Sequence, residues 1–384
     1  MSAVRAVRAV RRAGPGRRAP RAGWARRGRR APWAGWAWRV VAAAWVLVAA
    51  SAGPAAAHTI GSGPAASNYR TTVRGVEPAV PGLEARTVAG GRLELVNRTG
   101  QEVLVLGYRL EPYLRLGPGG AFENRRSPSA YANRFTTAPD SIPAEFDPAA
   151  APQWRRVGDR PRIVWHDHRA HWSGPDPPAV TAAPGQRHVV QPEWQIPLRL
   201  DKRTVLLQGD VTWVPGPSPW PWALAAVAVF AVAMTAARGR RRPLVLAAVA
   251  LLAVAADLVH TAGALLGSSA PLAAELSGTA TTAAGWAVAA LAAYRLLRGR
   301  TESAQVFLLL GGVLLTLAGA LPDLTAFGRS QLPSAVGPLA TRAAIAVTLG
   351  LGTAMVVAGL LGFRAAGRTP EEGPDAPGDG RASA

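Results

Sequence analysis

PLVLAAVALLAVAADLVHTAGALL, residues 243–266, is the stretch that decides the fold of this 384-residue chain. An α-helix rises about 1.5 Å per residue, so about 20 apolar residues are needed to cross a hydrocarbon layer about 30 Å thick. This stretch is long enough. Four more apolar runs have similar length, at residues 220–237, 279–297, 304–321 and 341–363. The sequence therefore predicts a five-helix transmembrane bundle between residues 219 and 364.

Arginines predict the orientation of these spans. Ten of them follow the first, third and fifth spans, at positions 238, 240, 241, 242, 295, 298, 300, 364, 368 and 381. The loops between the second and third and between the fourth and fifth spans hold only Arg329, with Arg342 at the start of span five. Short cytoplasmic loops carry the excess of basic residues. We therefore expect a multi-pass plasma-membrane protein with its C-terminus in the cytoplasm, where residues 365–384, rich in Pro, Gly and acid, form a disordered tail.

The first 57 residues have the composition of a secretory signal peptide. They carry twelve arginines and no acidic residue, then an apolar stretch at 40–50 and a run of small residues that ends at Ala57. This order is typical of a signal with an A-x-A cleavage site. The alternative, an uncleaved anchor helix, is disfavoured because the apolar stretch is short. Without these residues the net charge falls from +20 to +8, so the charge indicates membrane topology and not a nucleic-acid partner.

Residues 58–218 then form an extracytoplasmic domain whose periodicity is that of strands. Five short segments have either alternating apolar and polar residues or a run of apolar residues, as strands do: 92–96, 103–106, 194–200, 205–207 and 211–214. Asp201 and Lys202 are predicted to form a turn between the third and fourth of them. The several prolines of residues 117–161 predict that this segment is irregular. Cysteine is absent, so disulfides and thiolate sites are excluded. The pattern predicts an antiparallel β-sandwich-like domain.

The densest chemical signal is WHDHRAHW, residues 165–172. If the strand continues, His166 and His168 lie on one face, and Asp167 and His171 on the other. Two neutral imidazoles at this spacing can bind one metal ion, with Asp167 as an outer-shell partner. Two other interpretations stay open. The run is either a solvated or stacked edge strand flanked by tryptophans, with Asp167 paired to Arg169 or to a histidine, or a pH-responsive histidine cluster.

Signal cleavage after Ala57 makes His58 the mature N-terminus, with an α-amine and an imidazole on one residue. Amine and imidazole nitrogens suit Cu(II), which favours tetragonal nitrogen and oxygen ligands. His58, His166, His168 and His171 are therefore the candidate metal ligands, with copper as the candidate ion.

Ionisable residues inside the spans mark a second candidate site, because an unpaired charge in hydrocarbon is costly. Asp257 and His260 are three residues apart and so share one helix face, and Asp323 follows span four. All three fall at the outer ends of their spans, where we expect one polar cluster. The alternative is a set of interhelical hydrogen bonds without further function, with Asp323 paired to Arg342.

The sequence contains no G-x-S-x-G, P-loop, H-E-x-x-H or Rossmann glycine pattern after a strand, so we expect no enzyme.

Three strings carry a resemblance to a known group of proteins. GYRLEPYLRLGPGGAFENRRSPSAYANR (107–134), WHDHRAHWSG (165–174) and GDVTWVPGPSPWPW (209–222) resemble exported multi-pass membrane proteins of actinobacteria, a group with no established activity to transfer.

A second resemblance is architectural, to the copper-resistance proteins CopC and CopD, in which an exported β-sandwich with an N-terminal histidine accompanies a multi-pass part. Only His58 matches residue for residue. CopD has more spans, and Met-rich copper segments are missing here.

The resemblance to CopC and CopD implies metal handling at the outer face of the membrane. The alternative function is that of a non-enzymatic envelope protein whose exported domain binds a partner protein and whose helices anchor it in the lipid bilayer.

Overall fold

The computed structural model describes residues 66–135, 137–268 and 272–366, with the backbone alone at 272–278 and 365–366. The predicted signal peptide, His58 and residues 367–384 of the predicted tail lie outside the described residues. Residues 66–218 are called the β-domain below, and residues 219–366 the helical part.

In the described part of the chain, ten strands form two antiparallel sheets. The strands are β1 Tyr69–Glu77, β2 Leu83–Thr87, β3 Leu93–Asn97, β4 Val103–Leu106, β5 Pro112–Gly117, β6 Gly120–Asn124, β7 Trp154–Gly158, β8 Arg162–Trp165, β9 His188–Leu200 and β10 Arg203–Trp213. One sheet has the order β1-β10-β9-β4-β5-β6-β7, and the other β2-β3-β8. Two short helices complete the β-domain, α1 Pro128–Ala132 and α2 Pro178–Ala182.

The two sheets share one hydrophobic core, as predicted for a sandwich-like domain. Leu93 and Leu95 of the small sheet pack in the same cluster as Ile196, Leu198 and Leu207 of the large sheet, and all five are fully buried. Burying one such side chain stabilises the fold by roughly 1.5–3 kcal/mol. Because cysteine is absent, this packing takes the place of disulfides.

The predicted turn between the two longest strands is confirmed. Leu200 pairs with Arg203, so Asp201 and Lys202 form a two-residue hairpin between β9 and β10. Asp201 has a positive φ of 50°, a conformation that Asp tolerates better than most residues. The alternation of Trp194, Ile196, Leu198 and Leu200 places these four side chains in the core.

The prediction that residues 117–161 are irregular was wrong in part, because β6, α1 and β7 lie within them. Strand β6 pairs with β5 across the tight Gly117–Gly120 turn and continues to β7. Its sequence, GAFEN, is too short to show a period, so its strand character comes from pairing with neighbours. Helix α1 begins where the Ser127 side chain accepts a hydrogen bond from the Ser129 amide.

The helical part contains α3 Trp220–Ala236, α4 Arg242–Gly267, α5 Leu272–Leu297, α6 Thr301–Leu314 and α7 Pro338–Ala366. Three helical stretches of the described residues are long and apolar enough to cross a membrane, namely Arg242–Gly267, Thr301–Gly328 and Pro338–Arg364. Helix α3 is apolar but shorter than these three. For α5, the side chains of residues 272–278 are not among the described ones. By length and hydropathy the predicted count of five spans is therefore not reached.

The fourth predicted span is not one continuous α-helix. After Leu314 the chain forms a π-helical segment, Leu315–Ala320, and then a 3-10 segment, Leu321–Gly328. A π-helical turn is rare and occurs often at functional sites. The change of helix type therefore draws attention to the residues that contact this segment.

Hydrogen bonds join the β-domain to the helical part. Ser67 and Gln331 exchange two backbone hydrogen bonds, of 3.0 and 2.9 Å. The Ser330 amide donates to Asn68 Oδ1 at 2.9 Å, and the Ser330 hydroxyl donates to the Val214 carbonyl at 2.8 Å. The loop after the 3-10 segment is thus fixed to the first and last strands of the domain.

Candidate functional site

The three histidines of residues 165–172 lie together, but not on a strand. Strand β8 ends at Trp165, and His168–Ala170 forms a 3-10 turn. The expectation that His166 and His171 lie on opposite faces of a strand was therefore wrong. The ring centroid of His166 is 4.1 Å from that of His171 and 4.8 Å from that of His168. We call these three residues the histidine cluster.

Asp167 fixes the turn that carries the cluster. Its carboxylate is fully buried and accepts hydrogen bonds from Trp165 Nε1 at 3.1 Å and from Arg169 Nε and Nη2 at 2.9 Å each. Arg169 also donates to the Leu106 carbonyl at 3.1 Å, which ties the turn to β4. Burial raises the pKa of Asp167, but the charge and hydrogen bonds of Arg169 outweigh burial and lower it below its usual range. The carboxylate therefore holds the backbone and does not orient an imidazole.

The backbone of Asp167 does orient one ring. His171 Nδ1 lies 2.8 Å from the Asp167 carbonyl oxygen. A carbonyl oxygen only accepts, so Nδ1 carries the proton and the neutral ring has its lone pair on Nε2. His168 Nε2 lies 3.2 Å from the Ala132 carbonyl and donates to it in the same way.

Two ring nitrogens of the cluster are buried without a hydrogen-bond partner, His166 Nε2 and His171 Nε2. A backbone group of Gly90 lies near enough to affect the pKa of His171, but it makes no hydrogen bond of ordinary geometry with Nε2. Buried polar atoms are nearly always paired, and an unpaired one points to a bound ion, a water molecule or a functional role.

Both rings with unpaired nitrogens are neutral at physiological pH. Burial, together with the neighbouring His171 and His168, lowers the pKa of His166 to about 3. Burial likewise lowers the pKa of His171. A neutral imidazole is the form that binds a metal ion. For His166 and His171, these shifts disfavour the interpretation of a group that titrates near pH 7.

A glycine turn covers the cluster. Gly91 ends the 3-10 turn Ala89–Gly91, with a φ of 73°. A β-carbon at Gly91 would lie only 2.8 Å from His171 Nε2. Only a residue without a side chain lets this turn approach the ring. The Gly90-Gly91 pair before β3 indicates a tight turn in the sequence, but the sequence does not indicate that this turn covers His171.

The next residue links this turn to the helical part. Arg92 Nη1 donates to the Ser268 carbonyl at 2.7 Å, and Nη2 donates to the Leu266 carbonyl at 3.3 Å. These carbonyls lie at the C-terminal end of α4, where a cation is favoured by the unpaired carbonyls and the helix dipole. Helix α4 also carries Asp257 and His260. The residue that directly follows the turn over the histidine cluster therefore contacts the helix that carries these two side chains.

Asp257, His260 and Asp323, here the bundle cluster, are brought together by α4 and the 3-10 segment. His260 Nε2 lies 2.8 Å from Asp323 Oδ2. Asp257 is fully buried; its Oδ2 accepts from Trp286 Nε1 at 2.6 Å, and its Oδ1 has no partner. The predicted proximity of the three residues agrees with this arrangement.

The expected pairing of Asp323 with Arg342 was wrong. Arg342 instead donates to the backbone carbonyls of Ala326 at 2.9 Å and Arg329 at 2.6 Å. These carbonyls end the 3-10 segment, which leaves Asp323 free to accept from His260. Sequence reasoning also missed Trp286 and Gly319, whose positions in apolar helices give no sign of their contact with Asp257.

The described side chains contain no group of three or more His, Asp or Glu residues already arranged to hold a metal ion. The histidine cluster therefore offers two unpaired nitrogens with a third imidazole near them. His58 is outside the described residues. Comparisons with protein families, curated proteins and solved structures found no match to this chain. The geometry of the two clusters is what bears on function.

Proposed function

We propose that this chain is a multi-pass membrane protein whose extracytoplasmic β-domain binds a transition-metal ion, with Cu(II) as the favoured ion. The ligands are His166 Nε2 and His171 Nε2, with His168 as the third. The observation that carries the proposal is the pair of buried, unpaired Nε2 atoms on rings 4.1 Å apart.

Energetics support a ligand at this position. A buried polar atom without a hydrogen bond costs roughly 1–3 kcal/mol, and the histidine cluster holds two such atoms. A metal ion bound by both nitrogens removes both costs. Since no thiolate is present and the donors are imidazoles, Cu(II) and Zn(II) fit best, and copper binds nitrogen ligands more tightly than zinc does.

His168 completes the ligand set by giving up its hydrogen bond to the Ala132 carbonyl. This ring is partly exposed, so it has room to rotate, whereas His166 is buried. The exchange costs about 1 kcal/mol for the lost hydrogen bond, far less than a third metal ligand contributes. His58, if it is the mature N-terminus, adds an amine and an imidazole from a second segment of chain.

The proposed membrane topology has five spans, with the β-domain outside the cytoplasm and the C-terminus inside. Three of these five spans are membrane-length helices in the described residues, and the arginines after spans one, three and five support the orientation. Helix α3, at 17 residues, is about 26 Å long and crosses a slightly thinned bilayer. Trp220 is 72% exposed at its beginning, where an interfacial ring is favoured.

The test uses the full chain in lipid nanodiscs, stripped of metal. We expect one Cu(II) ion to bind per chain by calorimetric titration, with nitrogen couplings from imidazole in its electron paramagnetic resonance spectrum. His166→Ala and His171→Ala should each lower the affinity at least tenfold. His188→Ala is the matched control, because its Nε2 is already bonded to the Ala183 carbonyl at 2.8 Å.

Two results would overturn the metal site: wild-type affinity weaker than micromolar, or cluster variants that bind as tightly as the His188→Ala control. Adding one residue before His58 in the processed protein removes the free α-amine of His58. The resulting change in copper affinity measures how much His58 contributes to binding.

A charged groove supports the second candidate function, binding of an envelope partner. The groove lies along β2 and β3 and is lined by four basic residues, Arg86, Arg98, Arg160 and Arg162, and by two acidic residues, Glu84 and Glu94, of which Glu84 is paired with Arg98. Glu94 is buried between Arg86 and Arg162 and is ion-paired to both. An acidic ligand would suit the remaining positive charge. This function gains weight if copper binding fails while the folded β-domain still captures an anionic envelope polymer.

A further inference from the structure

The bundle cluster shows a gradient of burial. Asp257 is fully buried, the His260 side chain is 11% exposed, and that of Asp323 is 32% exposed. Since His260 is bonded to Asp323, the three side chains lead from a surface at the β-domain end of the helices to a carboxyl group inside them. In transmembrane segments, ionisable residues in such series mark pathways for ions or protons.

The charges of the cluster do not balance if both carboxyl groups are ionised. One imidazolium offsets one carboxylate, and the described charged side chains near Asp257 are those of His260 and Asp323. The guanidinium of Arg342 in α7 donates its hydrogen bonds to backbone carbonyls instead. Arg295 of α5 stacks on Phe307 at 4.7 Å, more than two helical turns from Trp286. A lone carboxylate buried in apolar surroundings costs several kcal/mol, so one of the two carboxyl groups must take up a proton.

We propose that Asp257 is a proton-binding site within the helical part, and that His260 and Asp323 connect it to the surface at the β-domain end. Asp257 is the carboxyl group that holds the proton because it is the buried one, whereas Asp323 has both partial exposure and the imidazole of His260. The proposal is independent of copper binding.

A proton fits this site better than a metal cation. The group that contacts Asp257 Oδ2 is the Trp286 N–H, a donor, and Gly319 next to Oδ1 has no side chain to supply a ligand. Sodium, calcium and magnesium ions need several oxygen ligands. A carboxyl group with one oxygen held by a donor and the other unpaired offers a single free oxygen.

The π-helical segment makes room for that oxygen. A β-carbon at Gly319 would lie 2.5 Å from Asp257 Oδ1, so a glycine at this position lets the segment pack against the carboxyl group. Thr282 Oγ1 donates to the Ala318 carbonyl at 3.3 Å, which satisfies a backbone group of the same segment. The irregular helix and the buried carboxyl group therefore belong to one site.

Release starts from a neutral His260 whose proton is on Nε2 and from an ionised Asp323. The Asp257 carboxyl group gives its proton to His260 Nδ1, which has no partner, while His260 Nε2–H passes its proton to Asp323 Oδ2. The products are an Asp257 carboxylate, a neutral His260 with the opposite tautomer, and a protonated Asp323 that exchanges with water. No hydrogen bond joins Asp257 and His260 in this structure, so a side-chain rotation or a bridging water molecule must close that step.

The test is infrared difference spectroscopy of the full chain in lipid, recorded across pH and in H2O and D2O. We expect a carbonyl band of a protonated carboxylic acid that shifts in D2O and is missing in Asp257→Asn. Asp257→Glu should restore a band at a different frequency. Asp159→Asn is the control, since that side chain is 91% exposed.

Three results would overturn the proposal: an unchanged band in Asp257→Asn, loss of the band when sodium replaces a bulky organic cation, or a rate of exchange of the Asp257 proton in D2O that His260→Gln does not change. We expect His260→Gln to slow that exchange, because it removes the imidazole that connects Asp257 to Asp323. Circular dichroism of the same samples shows whether the chain is folded, and a separate copper titration tests the metal site, so failure here is distinguishable from failure of the metal site.

Discussion

Arg92 donates a 2.7 Å hydrogen bond from Nη1 to the Ser268 carbonyl and so joins the β-domain to the end of α4. The residue before it, Gly91, lies against His171 Nε2. A metal ion bound at that nitrogen must share its space with the glycine turn. Any movement of the turn therefore reaches the carbonyl end of the helix that carries His260 and Asp257.

Replacing Arg92 tests this connection. Copper binding should slow hydrogen–deuterium exchange in residues 261–268 of wild-type protein, and Arg92→Ala should abolish that effect while copper affinity stays within a few-fold. A cation at a helix C-terminus contributes about 0.3–1 kcal/mol, so the fold should persist. Arg98→Ala is the control because Arg98 pairs with Glu84 at the surface. Equal copper-dependent protection in both variants would show that Arg92 does not transmit the change.

The glycine turn makes a second prediction. Gly91→Ala should lower copper affinity at least tenfold, because the new methyl group occupies the space beside His171 Nε2. Gly100→Ala is a matched control. Its φ of 76° imposes the same backbone penalty of about 1–2 kcal/mol, but a β-carbon there contacts nothing within 4 Å. Calorimetric titration separates the two effects. Similar losses of affinity in both variants would mean that backbone strain, and not contact with the ring, is responsible.

Local patterns were sufficient for part of this structure. Alternation placed Trp194, Ile196 and Leu198 in the core, and the Asp201-Lys202 turn was predicted where the hairpin forms. Long apolar runs located most helix ends within three residues, but α5 begins and α6 ends seven residues before the predicted positions. These features depend on neighbours in the chain, whose spacing the sequence displays directly.

Features that depend on distant residues were not predictable. Nothing in WHDHRAHW shows that β8 ends at Trp165, since the Asp167–Arg169 ion pair is anchored on the Leu106 carbonyl far away in sequence. Similarly, Trp286 and Gly319 contact Asp257 only because three helices pack together. Periodicity reports which face of an element is apolar, but it does not report which polar atoms of different elements meet.

The histidine pKa shifts predict how metal-free protein responds to acid. The pKa of His166 is about 3 in the folded state and near 6.5 in an unfolded chain. The unfolded state therefore binds more protons between these values, and stability is lost as pH falls from about 6.5 towards 3. For one group the slope approaches 1.4 kcal/mol per pH unit.

Thermal unfolding of chelator-treated protein in detergent, from pH 8 down to about 4, measures this loss. His166→Asn should flatten the dependence between about pH 6.5 and 5. In this range carboxylates with lowered pKa values, such as Glu111, remain ionised. A pH dependence that is the same in His166→Asn and in wild type would contradict the assignment of His166 as a neutral, buried imidazole.

Gly319 should be intolerant of any side chain. Gly319→Ala places a methyl group 2.5 Å from Asp257 Oδ1, and overpacking of this kind costs about 1–3 kcal/mol. We expect a lower unfolding temperature in detergent and a changed infrared band of Asp257. Gly328→Ala is the control, because a β-carbon there has no neighbour within 4 Å. If the two variants unfold at the same temperature, the π-helical segment is not packed on the carboxyl group.

The proposed topology is testable by cysteine labelling, because the natural chain has no cysteine that would have to be removed first. Lys202→Cys, Arg240→Cys and Arg298→Cys place one thiol each at an exposed position of the β-domain, the α3–α4 loop and the α5–α6 loop. A membrane-impermeant maleimide should label Lys202→Cys in intact cells, and the other two only after permeabilisation.

This experiment tests separately whether α3 and α5 cross the bilayer. If α3 does not cross the bilayer, Arg240→Cys becomes accessible together with Lys202→Cys. If α3 crosses but α5 does not, Arg240→Cys stays protected while Arg298→Cys becomes accessible, because an even number of crossings then separates it from the β-domain. Labelling of Lys202→Cys only after permeabilisation would reverse the whole orientation and place the histidine cluster in the cytoplasm, where extracytoplasmic metal capture has no meaning.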